Sequence, residues 1–249
     1  DAPRERLWRV RAGQVILAQG AIERPMVFDG NDRPGVMMAG AAQTFLNRFG
    51  VKVGNRPVIL TSHDSAWHTA FDLADAGCKV AAIVDTRTDI APALMQAAMS
   101  RQIEVLTGHT ATATGGRLRV KSIRVNPVRG GTVGAARTIA CDAVLMCGGW
   151  TPSLHLFSHT KGSLDWDAKA KAYLPGHKTE AVHIAGAGRG LWGIAAVLED
   201  GAKAGADALR DLGRKAGAAT YAVTGDRTGT GVTQKELPTD RSPGSAKAF

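Results

Sequence analysis

The chain has 249 residues, a formal net charge of +9 and 44% apolar residues. That length holds one large domain or two small ones around an ordinary core. No apolar run approaches the roughly 18 residues that a membrane-spanning helix needs. No signal peptide is visible, and the sequence starts at Asp1 without Met, so a processed or excised chain is expected. The basic residues are scattered, and two Tyr and six Phe give little surface for stacking bases. Anionic cofactors or an acidic partner subunit therefore suit the charge better than nucleic acid. Cys78, Cys141 and Cys147 form no CxxC pair. Free, buried thiols in a reducing, cytoplasmic compartment are expected, and a redox disulfide of the thioredoxin-reductase type is not.

Residues 14–18 (QVILA) read as a buried strand that stops at Gln19-Gly20-Ala21. Pro25, Gly30, Asn31, Asp32 and Pro34 make 22–34 a loop. Apolar spacing predicts a helix over 36–49, with Gly50 as its C-cap. Residues 58–87 then carry the most information. An apolar run at Val58–Leu60 meets a polar turn at Thr61–Ser65, a helix over 65–75, Gly77, and a second apolar run at Val80–Val84 that ends in Asp85. Strand, turn, helix and strand with an acid at the second tip is the layout of a dinucleotide-binding βαβ unit.

Further on, 91–101 suit a helix and 104–108 a third strand. Residues 110–139 alternate and are broken by Gly115-Gly116 and Gly130-Gly131, as in an antiparallel meander. Ala143–Met146 is a strand that ends at Cys147-Gly148-Gly149, and WTPS follows as a turn. Residues 182–185 form one more strand, running into Gly186-Ala187-Gly188-Arg189-Gly190, and a long helix spans 191–212. Beyond Gly213 the composition is that of a linker or tail.

The order of strand ends (LAQGA, MCGGWTP, IAGAGRG) predicts nesting. An outer Rossmann-like α/β domain, 1–50 with 151–212, would enclose a second dinucleotide-binding domain at 51–150, which carries the β meander. This nesting is similar to that of the flavoproteins with two dinucleotide-binding domains, the disulfide reductases among them. Ala18-Gln19-Gly20-Ala21 resembles the end of their first-domain strand. Gly186-Ala187 stands where they have a Gly-Asp pair. Four stretches in order resemble the alpha subunits of heterotetrameric sarcosine oxidases: LAQGAIERPMVFDGNDRPGVMMAG, TSHDSAWHTAFDLADAG, CGGWTPSLHLFSHTKGSLDWD and IAGAGRGLWGIAAVLEDGAKAG.

That resemblance spans about 5–212. It implies a central fragment of a longer subunit, with a glycine-rich fingerprint upstream and a folate-binding half downstream. It also implies oxidation of sarcosine to glycine, formaldehyde and peroxide by FAD and FMN held in the partner subunit or at the interface. NAD would sit in this subunit, the partners would be beta, gamma and delta subunits, and this chain would carry no catalytic residue. Opine oxidase, cyanide synthase and proline dehydrogenase alpha-type subunits are rival relatives. They carry a cysteine cluster after the second domain, and 213–249 has no cysteine. A non-enzymatic scaffold built on a degenerate dinucleotide fold is the remaining reading.

Two cofactor sites follow. In the outer domain the resemblance places Gly20, Ala21, Gly186, Ala187, Gly188, Gly190, Trp192 and Ile194 along NAD. Ala187 lacks the carboxylate that flavin would use. The bland alternative makes Trp192 and Ile194 plain core. In the inserted domain, Thr61, His63 and Ala66 replace the glycines of a GxGxxG turn. Ser62, Asp64 and Ser65 could still offer backbone N–H groups, and Asp85 could take a ribose hydroxyl. The reading that these residues favour is an empty scaffold, with Asp85 solvated beside Arg87. Trp150 reads as packing. His109, His155, His159, His177 and His183 lack metal-ligand spacing, and no metal site is expected.

Overall fold

A computed structural model describes residues 3–129 and 132–217. In chain order its elements are β1 (Val15–Leu17), β2 (Ala21–Glu23), β3 (Val36–Met38), α1 (Ala39–Phe49), β4 (Pro57–Thr61), α2 (Ser65–Asp75), β5 (Ala82–Asp85) and α3 (Pro92–Ser100). They continue with β6 (Val105–Thr107), β7 (His109–Gly115), β8 (Ser122–Arg129), β9 (Thr132–Val133), β10 (Arg137–Ala140), β11 (Ala143–Cys147) and β12 (Trp150–Pro152). Last come α4 (His155–His159), β13 (Leu164–Asp167), β14 (Ala172–Pro175), β15 (Val182–Ile184), a 3-10 turn (Gly186–Arg189) and α5 (Ile194–Asp211).

The described residues fall into two compact units, one of 22–151 with 168–171 and one of the remainder. The inserted unit is built on a five-stranded sheet in the order β3-β11-β4-β5-β6, every pair parallel. Period-2 alternation sorts its side chains onto two faces. Ile59, Ile83, Leu145 and Cys147 join Trp67, Ala70 and Leu73 in one core cluster with the helices. Val58, Leu60, Val84, Val144 and Met146 join Ile123, Val125 and Ile139 in the other. The antiparallel β7-β8-β10 strands, with β9 beside β8, thus cover the face where a doubly wound fold carries more helices. Both faces of β4 are dry, and all five of its residues are buried.

The other unit pairs β1 with β15 in parallel, in the register Val15↔Val182 to Leu17↔Ile184. Leu17, Leu154, Phe157, Val182 and Ile184 form its small core. β13 and β14 make a hairpin, and α5 buries Asp200, Ala204 and Ala208.

Several sequence expectations change. Residues 22–50 pack in the inserted unit rather than the outer one, because β3 pairs with β11. Residues 36–38 are that strand, and the helix starts only at Ala39. Its C-cap is Gly50, at φ 66°, with its N–H returned to Leu46 and Phe45 carbonyls. The segment 22–34 is not all loop, since β2 runs to Glu23 and pairs β12. The long helix begins at Ile194 instead of Leu191, because the 3-10 turn and Gly193 (φ 94°) come first. Of the tail, 218–249 lies outside the described residues.

Leu145 is fully buried in the central part of the sheet. Leu145→Ala should cost about 2–5 kcal/mol, read as a lower urea midpoint for the inserted unit at unchanged m-value.

Candidate functional site

The glycine-poor turn of one unit and the glycine-rich turn of the other sit at the carboxyl ends of parallel strands, where α/β folds bind ligands. In the inserted unit the β4–α2 turn is closed on itself. The Ser62 N–H donates to the Cys147 carbonyl (3.0 Å) and the Trp67 N–H to that of Asp64 (3.0 Å). The His63 N–H donates to Thr61 Oγ1 at 2.9 Å. The Ser65 N–H donates to His63 Nδ1 at 3.1 Å. The imidazole thus fills the place of the second glycine and accepts one of the amides that would meet phosphate. An accepting Nδ1 assigns the neutral ring's proton to Nε2. Burial pushes His63 down to about 4; Asp64 opposes this, while Arg87 and Arg24 reinforce it.

Asp85, at the tip of β5, is fully buried. Its Oδ2 accepts from Trp67 Nε1 at 2.9 Å and from the Arg87 Nη2 at 2.8 Å. Its Oδ1 accepts from the Arg87 amide at 2.8 Å and Arg87 Nε at 3.0 Å. The other guanidinium nitrogen, Arg87 Nη1, meets Asp64 Oδ1 at 2.7 Å. Burial disfavours the guanidinium's charge, but Asp85 and Asp64 outweigh it and hold Arg87 above the usual arginine range. The expectation of a solvated Asp85 is therefore corrected: the acid is sealed under Arg87, with Trp67 as a partner that no local motif announces.

A polar cluster beside this turn has no counterpart among the sequence expectations. Ser65 Oγ accepts from Trp150 Nε1 at 3.0 Å and lies 3.6 Å from Cys147 Sγ. Burial, then the nearby Glu23, pushes the Cys147 thiol up to about 12. Glu23 receives the Gly40 N–H at the start of α1 (3.0 Å to Oε2). Burial raises the Glu23 carboxyl, against the lowering effect of its Cys147 and Gly40 hydrogen bonds. Cys147 is thus a buried thiol held in its neutral form, and Trp150 ties β12 to α2.

The outer unit's turn is built differently. Gly186 (φ 70°) and Gly190 (φ 74°) take left-handed backbone that side chains rarely adopt. Asp200, buried on α5, accepts the Gly186 N–H at 2.8 Å and Arg189 Nη1 at 2.6 Å. Gly193 opens α5 with no side-chain cap, and no acid stands in the first turn. The positive helix end thus lacks a carboxylate of its own, which suits an anion. Ala187 and Trp192 are half-buried, and Ile194 is 54% exposed, so Ile194 is not core in this unit. Gly20 (φ 71°) follows β1, the partner of β15, and an added Cβ there would meet nothing within 4 Å. The unit therefore brings Gly20 and Ala21 to the same strand-end edge as Gly186, Gly188 and Gly190.

Among the described residues no group of His, Cys, Asp and Glu could hold a metal ion. All three cysteines are free and buried. No described helix is long and apolar enough to cross a membrane.

The chain is 41% identical over 211 residues to the sarcosine oxidase alpha subunit of Rhizobium meliloti (strain 1021), covering 85% of this chain and 20% of the relative. It is 38% identical over 213 residues to the corresponding protein of Corynebacterium sp. (strain P-1), covering 84% and 22%. This chain is a homologue of sarcosine oxidase alpha subunits. It spans about a fifth of their length. An opine oxidase component of Agrobacterium tumefaciens (strain Ach5) is 29% identical over 228 residues, 82% of this chain and 44% of that one. No family model matches. In fold, the chain is similar to T. acidophilum thioredoxin reductase, with a TM-score of 0.60 and 16% identity over 80% of this chain and 64% of that one. The L-proline dehydrogenase of P. horikoshii gives a TM-score of 0.56 at 19% identity, over 82% and 36%. The α/β fold of the chain is thus like that of these two solved oxidoreductases.

The low His63 value sets a pH dependence. The unfolded imidazole takes a proton below its ordinary 6.5, whereas the folded one resists until about 4. Stability is therefore full above pH 6.5 and is lost as pH falls towards 4, by about 3 kcal/mol in all. His63→Gln should flatten this limb, measured as urea midpoints of wild type and variant between pH 4 and 7.

Proposed function

We propose that this chain is the NAD-holding part of the alpha subunit in a sarcosine-oxidising assembly. The observation that carries the reading is 38–41% identity to sarcosine oxidase alpha subunits along 84–85% of the chain. The opine oxidase component is the more distant relative, at 29%. The assembly would oxidise sarcosine to glycine and formaldehyde and reduce oxygen to peroxide. FAD and FMN would belong to the partner subunit or the interface, with beta, gamma and delta subunits as partners in the cytoplasm.

Within the chain, the Gly186–Gly190 turn and the α5 N-terminus would hold the dinucleotide. Backbone N–H groups and the helix dipole favour a pyrophosphate there. Bound NAD would supply an anionic pyrophosphate and two riboses rather than a turnover hydride carrier. Asp200 keeps its carboxylate on Gly186 and Arg189, so the turn faces a ligand without that negative charge. Ala187 leaves room where the flavoprotein pattern has an acid. Trp192 and the exposed Ile194 would offer apolar surface at the start of α5. None of these groups is nucleophilic or poised to move a proton, so the chain's role is to bind and position.

Mass spectrometry of ligand released from the denatured full-length assembly tests this. NAD should be recovered at about one per alpha subunit, and Trp192→Ala and Ala187→Asp should each lower the yield at least about tenfold. Stoichiometric FAD from the alpha subunit, or NAD retained in both variants, would overturn the assignment. The isolated 249-residue chain should release no peroxide from sarcosine.

A further inference from the structure

We propose that the inserted unit is a self-closed nucleotide fold, in which Arg87 and His63 occupy the places of a dinucleotide's ribose and pyrophosphate. The proposal concerns a different turn from the NAD reading above and does not rest on it.

A dinucleotide makes two demands on a βαβ unit: free amides at the first turn and a free acid at the second strand tip. The acid and four amides of the turn are already engaged internally here. The amides of Ser62, His63, Ser65 and Trp67 each have an acceptor within the unit. Asp85 accepts four hydrogen bonds, three of them from Arg87 and one from Trp67. The same guanidinium reaches Asp64 in the β4–α2 turn. It therefore bridges the two loops between which the ribose and phosphate would lie. Asp64 faces that position with a negative charge, so an entering phosphate would meet repulsion as well as a closed turn. Two hydroxyls at these strand tips, Ser62 Oγ and Thr86 Oγ1, are unpartnered among the described residues, but both residues are buried. They are too few and too enclosed to replace the missing donors.

The consequence is functional. A reduced pyridine nucleotide has no entry to this unit, although its strand order and crossover would suggest one. Electrons therefore cannot be delivered to the assembly from NADH or NADPH bound at this turn.

Hydrogen–deuterium exchange on the full-length assembly, titrated with ADP-ribose, NADH and NADPH to millimolar levels, tests the proposal. In the wild type the peptides covering 58–68 and 82–88 should show no added protection with any probe. Saturable protection of either peptide would overturn it. In the double variant His63→Gly/Arg87→Ala, which frees the Ser65 amide and Asp85, ADP-ribose should give saturable protection at least about tenfold tighter than any wild-type effect. A folded double variant, judged by an unchanged exchange pattern in the β7-β8-β10 strands, that gains no protection would show that these two side chains are not what closes the site. That result would count against the proposal.

Discussion

The Asp85 carboxylate, sealed under Arg87 and Trp67, is the constraint on which the inserted unit is organised. A buried charge must be paired and hydrogen-bonded, or it costs several kcal/mol. Here the pairing draws on three elements at once: the tip of β5, the first turn of α2 through Trp67, and the β4–α2 loop through Asp64. Loosening Arg87 would leave the carboxylate buried with Trp67 alone. The sheet, the helix and the turn are therefore held in one register by a group that, in a ligand-binding relative of this layout, would be kept free.

The same chemistry explains why the two units diverge. In the outer unit the buried acid is Asp200, which lies on α5 and is spent on the backbone of the glycine turn. It shapes the turn from behind and leaves the helix end without a facing carboxylate. In the inserted unit the acid stands at the strand tip and recruits an arginine across the crevice. One arrangement leaves the start of α5 uncapped, and the other closes the crevice with an ion pair. The alternation on β4, β5 and β11 supports both faces of the sheet equally, with helices on one side and the antiparallel strands on the other. The closed turn thus sits on a rigid base, in a chain homologous to sarcosine oxidase alpha subunits.

Much of this is legible in the sequence, where local pattern and tertiary outcome agree. The α2 helix begins and ends where its apolar spacing puts it, at Ser65 and Asp75, and Gly50 caps α1. Residues 36–38 read as helix because VMM runs into a helical stretch without a break, and a short apolar run fits either period. Their strand character comes from pairing with β11, more than a hundred residues later. The same long-range pairing moves 22–50 out of the outer unit. Asp85 is recognisable as a strand-tip acid, but its fate depends on Trp67, eighteen residues earlier, and on how far Arg87 folds back. Glu23, Cys147 and Trp150 meet around Ser65 only because β2, β11 and β12 converge. No spacing in the sequence carries that signal.

A cryo-EM map of the full-length assembly prepared with saturating NADH tests the division between the two turns most directly. Dinucleotide density is expected beside Gly186–Ile194, with an undisturbed Arg87 guanidinium between Asp85 and Asp64. Density for a nucleotide over Thr61–Ser65, with Arg87 displaced from Asp85, would contradict it.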